Sequence, residues 1–214
     1  MSEMKMIVTG LLRQSVAALG MLLGLTLILG FAYPAGVWAI SRVDSSSAEG
    51  SRLVDASGCV VGSSLIGLDP QVPAGGPDPY LHARVLGAEG APMATGDPSA
   101  SAASNQGPNS VILLDNIEDR RALISAREGV APQAVPADAV TGSGSGLDPH
   151  ISPAYAELQV PRLARENRRS PEAIRSLIAA HTQGRQWGFL GEPSVDVPSV
   201  NVALGHGPAT CHTR

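Results

Sequence analysis

The chain has 214 residues, with 15 lysines and arginines, 19 aspartates and glutamates, 24 glycines and 3% aromatic residues. Its formal charge of −4 leaves no electrostatic footprint for a nucleic-acid partner. Lys5 is the sole lysine, which excludes a Gly-Lys-Ser/Thr phosphate loop and lysine Schiff-base chemistry. Two cysteines, Cys59 and Cys211, are too few for a disulfide framework and too far apart for a metal pair. One bridge between them stays open outside the cytoplasm; the place of Cys211 in a loose tail argues against it.

From Gln14 to Ser41 no residue is charged, and Arg13 and Arg42 bracket the run. At about 1.5 Å per residue, roughly 25 helical residues exceed the ~30 Å hydrocarbon layer. A cleaved signal peptide has a shorter apolar region, so a retained single transmembrane helix is expected over 14–40. Residues 1–13 then precede the membrane, 41–205 form one domain and 206–214 a loose tail. Phe31, Tyr33 and Trp38 cluster at the far end, as an interfacial belt does. Pro34 is expected to end or kink the helix there. Lys5 and Arg13 before the span balance Arg42 and Arg52 after it, so charge does not set the orientation. Gly20 and Gly24 make a GxxxG, which clears one helix face for another backbone, or is chance in a glycine-rich span.

Beyond the span, Cys59 to Gly67 reads as a strand, bent at Gly62. Asp69 to Pro79 is turn material, and Gly87 to Pro108 is a long loop of small residues. Val111 to Arg127 reads as an amphipathic helix with Leu113, Ile117 and Ile124 on one face; Asn109 or Ser110 caps it and Gly129 ends it. Thr141 to Pro153 opens with Gly142-Ser143-Gly144-Ser145-Gly146, which alone suggests a slack linker. Asp148-Pro149 and Ser152-Pro153 are instead turn and helix-start chemistry. A helix from Pro153 should be interrupted or kinked at Pro161. Ser170-Pro171 starts another, with Ile174, Leu177, Ile178 and His181 on one face and Gly184 closing it. Ser194 to Val197 alternates like a strand, and Val200 to Leu204 makes a short last helix. Arg162, Arg165, Arg168 and Arg169 form a basic stripe, either a solvated face or a contact for lipid headgroups or an acidic partner. The fold class is therefore α+β: one membrane helix and one mixed domain.

No reaction centre is expected. His82, His150, His181, His206 and His212 stand at no metal-ligand spacing; His206 and His212 fall in the tail, and His181 fills space at a helix edge. A nucleophile elbow needs a strand running straight into a helix, and Pro149 intervenes. Leu147 occupies the third glycine position of a dinucleotide fingerprint. The catalytic and metal residue sets are empty.

The segment Ser143-Gly144-Ser145-Gly146-Leu147-Asp148-Pro149 resembles the signature of the C subunit of Kdp-type potassium-transporting ATPases. Gly62-Ser63-Ser64-Leu65-Ile66-Gly67, Tyr80 to Arg84, Ser104-Asn105 with Gly107-Pro108, Gln159 to Ala164 and Leu190-Gly191-Glu192-Pro193 leading to Asn201 resemble further family stretches, in order. Leu68, Val85 and Gln106 depart from the family's usual Gln, Pro and Leu. The resemblance implies a shaped loop at 143–149 rather than a hinge. It implies an accessory subunit of an ATP-driven potassium uptake complex in the cell inner membrane, with the N-terminus cytoplasmic and the domain outside. The implied partners are a channel-like potassium-binding subunit, a P-type ATPase catalytic subunit, a small single-span subunit and the lipid bilayer. ATP and potassium are handled by the complex. The family is described as raising the pump's ATP affinity, yet no phosphate cradle is visible here, so any such effect is expected to be indirect. A membrane-anchored envelope hydrolase and a stand-alone extracytoplasmic binding module remain the alternatives.

Overall fold

A computed structural model describes residues 2–73, 75–88 and 90–206. The chain divides into two units, Met1–Gly50 and Ser51–Arg214. Cys211 and His212 lie outside the described residues, and so does the tail from 207 onward.

In the first unit, helix α1 (Ser2–Leu27) passes through a π-helical turn (Ile28–Ala32) into α2 (Tyr33–Ser41), and the short α3 (Ser45–Ala48) follows. From Glu3 to Ser41 this helix is long and apolar enough to cross a membrane, and its most apolar window buries nothing within the chain. Pro34 does not end it. The Tyr33 N–H reaches back five residues to the Ile28 carbonyl. That wider turn accommodates a ring that would clash with an α-helical carbonyl, and Pro34 then sits at the start of α2. Arg42 closes the end, with its guanidinium 5.7 Å from the Trp38 ring and bonded to Glu49 at 2.9 Å.

The second unit is mixed α/β. Strands β1 (Arg52–Val54) and β2 (Val60–Ser63) form an antiparallel hairpin. The strand expected over 59–67 is thus shorter, because the Ile66 N–H turns back to the Ser63 carbonyl and Gly67 leaves for another loop. The ladder's irregularity falls where Leu53 and Val54 face Gly62 and Val60, so the extra residue of β2, Val61, lies next to the expected bend at Gly62. Helix α4 (Val111–Glu128) starts where Ser110 accepts the Leu113 N–H and stops at left-handed Gly129. A 3-10 turn and α5 (Ala137–Val140) lead into the signature loop. Strand β3 (His150–Ile151), α6 (Pro153–Glu166), α7 (Pro171–Ala180), β4 (Thr182–Gln183), β5 (Ser194–Asp196) and α8 (Val197–Leu204) complete the chain in order. β5 lies between β3 and β4, antiparallel to both.

Helix α6 sits against the core. Tyr155, Ala156, Gln159, Val160 and Leu163 are spaced as one helical face and are each 0% exposed. Ser152 caps it by accepting the Tyr155 N–H at 3.0 Å, and Asp138 in turn accepts the Ser152 N–H and hydroxyl, each at 2.8 Å. Pro161 does not interrupt α6. It lies on the exposed side together with Glu157, whose carbonyl loses its α-helical partner where solvent can reach it. Helix α7 ends at His181 rather than Gly184, because residues 182–183 are taken into the sheet. Helix α8 begins three residues earlier than expected, where Asp196 accepts the Ser199 N–H.

Candidate functional site

The signature loop is a folded clasp. Ser143 is buried, and its hydroxyl accepts the N–H groups of Ser145 (3.3 Å) and Asp148 (3.2 Å). The Ser145 hydroxyl accepts the Leu147 N–H, and Asp148 accepts the His150 N–H at 2.9 Å. Serines and aspartate suit this because their short side chains reach backbone donors one turn away. The small residues therefore give close packing here, not slackness.

Four other segments grip the loop. Gly67 donates its N–H to the Leu147 carbonyl at 2.8 Å. A Cβ on Gly67 would fall on the Asp148 carbonyl oxygen and stand 2.5 Å from the Pro149 Cα. A Cβ on Gly96 would fall on the Gly146 carbonyl oxygen. Both approaches need glycine, and their partners are backbone that cannot yield cheaply. Ala102 donates to the Ser145 carbonyl at 2.9 Å. Arg84 spans the loop's two ends, bonding Asp148 at 3.0 Å and the Gly142 carbonyl at 2.9 Å. Pro149, buried, passes the chain into β3. Gly144 and Ser145 form the exposed crest.

The second signature lies apart, on the surface. Ser104, Asn105 and Gly107 are all exposed, and Asn105 takes a left-handed φ of 52°. The Gly107 carbonyl accepts the Ser110 N–H, so this stretch is the turn that starts α4. Beside it, Val111, Ile112 and Leu114 are 69%, 49% and 54% exposed, an apolar end on a helix whose inner face buries Ile124. A second apolar prominence is the turn Gln186–Leu190, with Trp187 84% and Phe189 68% exposed. Gly20 and Gly24 are exposed on the long helix, with open space where a Cβ would stand.

Sequence reasoning missed the domain's polar interior. The segment 81–83 is buried and belongs to no strand pair among the described residues. Asn201 takes the place of one, accepting the Leu81 N–H at 2.8 Å and donating to the Leu81 carbonyl at 2.9 Å. Gln159 does the same for His82, at 2.8 and 3.2 Å. A carboxamide carries an acceptor oxygen beside a donor nitrogen, so it pairs with a peptide unit as a strand would. His82 is held at both ring nitrogens: Nδ1 lies 3.1 Å from both Asp69 oxygens, and Nε2 lies 2.8 Å from Asp78.

Arg162 is not on a solvated stripe. It is 3% exposed and bonds Glu128, Gln159 and the carbonyls of Asp78 and Tyr80. Arg165, Arg168 and Arg169 are exposed. Burial alone would raise the Asp78 carboxyl; the His82 bond and the charges of His82, Arg162 and Arg127 outweigh it and hold the group below its ordinary value. Burial pushes the Tyr155 hydroxyl up to about 12, against the neighbouring Arg127 charge. Arg120 is 2% exposed and donates to the carbonyls of Leu86, Pro92 and Val140, and burial depresses its basicity.

His206 is not loose. Its ring lies 4.9 Å from that of Tyr80, tilted by 55°, and its Nε2 lies 2.8 Å from Asn167. Among the three departures, Val85 joins the buried residues, Leu68 is exposed at 38%, and Gln106 accepts the Ser110 hydroxyl. Among the described residues, no group of three or more His, Cys, Asp or Glu is placed to hold a metal ion. The hydroxyls of Ser143 and Ser145 and the carboxylate of Asp148 are occupied in shaping the signature loop.

The family model described as "KdpC: K+-transporting ATPase, c chain" matches residues 15–206. A "Potassium-transporting ATPase KdpC subunit" from Kineococcus radiotolerans is 44% identical over 204 residues, covering 94% of this chain and 97% of that one. The subunit of that name from Geobacter sulfurreducens is 42% identical over 192 residues, covering 87% and 94%. Another, from Sorangium cellulosum, is 43% identical over 189 residues, with the same coverage. The order of the motifs along the chain and the extent of these matches agree, and the chain belongs to the KdpC family of K+-transporting ATPase c chains.

Proposed function

We propose that this chain is an accessory and assembly subunit of a potassium-uptake ATPase, anchored once in the cell inner membrane. One observation carries the reading: a helix from Glu3 to Ser41 whose most apolar stretch is left uncovered by the described residues. In such a complex the neighbours are lipid, the channel-like potassium-binding subunit, the P-type catalytic subunit and a small single-span subunit. The helix packs on the channel-like subunit through Gly20 and Gly24, where open backbone lets another helix approach. The N-terminus is cytoplasmic, and the domain faces outward, presenting the rigid signature loop and its exposed apolar ends to the channel-like partner. Potassium and ATP are bound by the other subunits. On this placement the domain influences ATP affinity by coupling through its partners, typically worth ~1–3 kcal/mol.

The test is co-purification. Gly20→Leu with Gly24→Leu should lower recovery of the intact complex while leaving the chain in the membrane. Undiminished recovery would remove the packing face from the proposal.

A further inference from the structure

The π turn in the long helix leaves a backbone acceptor without a donor. A helical carbonyl accepts from the N–H four residues on, or five in a π turn. For Leu29 these positions are Tyr33 and Pro34. The Tyr33 N–H is taken by the Ile28 carbonyl, and proline has none to give. Pro34 also withholds the α-helical donor from the Gly30 carbonyl. From Gly30 to Ile40 only Tyr33 and Trp38 carry side-chain donors, and both side chains are exposed.

Depth removes water as a substitute. Trp38 and Arg42 mark the far interface, where the guanidinium stands over the indole ring. Leu29 is nine residues before Trp38, ~14 Å deeper along the helix. Half of the hydrocarbon layer is ~15 Å, so the Leu29 carbonyl sits near its middle. Acyl chains carry no donor, and an unmet carbonyl among them is costly. The acceptor is also open: Gly30 puts no side chain beside it, and a Cβ there would meet only the Thr26 Cγ2, at 3.9 Å. It does not belong to the Gly20–Gly24 face. At about 100° per residue, Leu29 lies roughly 180° round the helix from Gly20 and roughly 140° from Gly24.

We propose that this turn is a second membrane contact, at which the Leu29 carbonyl accepts a hydrogen bond from a hydroxyl or carboxamide side chain on another subunit's transmembrane helix. Lipid cannot supply that bond, and this helix has no donor left for it. The proposal rests on the assembly reading above, but on a different face of the helix. Pro34 has a positive part in it. By removing an N–H it keeps the ladder from closing, and so keeps the acceptor free for the neighbour.

The experiment uses the full complex in its native membrane. The variant Tyr33→p-benzoylphenylalanine places a photo-crosslinker one turn on from Leu29 and on its face, and the membranes are irradiated before solubilisation. The expected adduct joins residue 33 to a transmembrane peptide of another subunit that carries Ser, Thr, Asn or Gln at the crosslink. That donor is then changed to alanine in a cycle with Pro34→Ala, and recovery of the complex is measured. Losing the donor should weaken association about threefold while Pro34 is present, the usual effect of one interhelical hydrogen bond. It should have no further effect with Pro34→Ala, because the restored N–H lets the ladder close. Equal losses in both backgrounds would overturn the hydrogen bond. Adducts with lipid alone, or with a second copy of this chain, would overturn the contact. If the chain co-purifies with its complex while residue 33 labels only lipid, this proposal falls and the assembly reading stands. If the chain co-purifies with no other subunit, the assembly reading falls and takes this proposal with it.

Discussion

Replacing Gly67 with alanine tests whether the signature loop is a built surface. The added methyl would meet the Asp148 carbonyl oxygen and the Pro149 Cα, both backbone. Relief requires Gly67 to withdraw, and withdrawal breaks its 2.8 Å bond to the Leu147 carbonyl. Forced overpacking costs ~1–3 kcal/mol, and a lost backbone hydrogen bond adds ~1 kcal/mol. The sum is about 3 kcal/mol, and for a unit of this size it lowers the melting temperature by about 6–12 °C. Gly62→Ala is the matched control: nothing stands within 4 Å of its Cβ, and it sits within β2. That substitution should be neutral or stabilise by ~0.5 kcal/mol, since alanine loses less backbone freedom on folding. Thermal unfolding of both variants in detergent, followed by circular dichroism, gives the comparison. If Gly67→Ala melts within about 1 °C of the parent, the loop yields easily and the clasp is wrongly described.

Glu128→Gln should destabilise the domain by about 3–5 kcal/mol, because Arg127 and Arg162 both lose a fully buried carboxylate. Glu192→Gln, at the exposed pair with Arg185, should stay within ~0.5 kcal/mol in the same denaturant titration. The depressed Asp78 carboxyl contributes stability that is present above about pH 4 and lost as pH falls through its lower folded value. Asp78→Asn should therefore flatten the acid side of a plot of unfolding midpoint against pH; an unchanged slope there would count against the His82–Asp78–Arg162 contacts. Tyr155 titrates near 12 when folded, so its contribution is complete below about pH 10 and declines as pH rises towards 12. Tyr155→Phe should lose that alkaline decline, read from the same midpoints.

Helix starts were the most legible part of the fold. Ser110, Ser152 and Ser170 each cap the helix they announce, because a cap is a local contact between a hydroxyl and an N–H three residues on. Pro34 and Pro161 were expected to end, interrupt or kink their helices, and neither one ends or interrupts its helix. Local rules forbid proline inside a helix, but a π turn and a solvent-facing position remove the conflict. The clasp at 143–149 was expected as a shaped loop from the family resemblance, with Asp148-Pro149 and Ser152-Pro153 supplying turn and helix-start chemistry beside it. Its grip by Gly67, Gly96 and Arg84 was not, since those contacts cross tens of residues. Arg162 looked like one of four surface arginines. Only the fold shows that it faces Glu128 and two carbonyls, while Arg165 turns outward.

The carboxamides that stand in for a strand also fix when the domain can be completed. Leu81 waits for Asn201, 120 residues downstream, and His82 waits for Gln159, 77 residues downstream. Until α8 has left the ribosome and docked, the early half carries peptide groups with no internal partner. Completion of this domain is therefore expected to wait for the synthesis of α8, with the nascent chain exposed to proteases and holding chaperones until then.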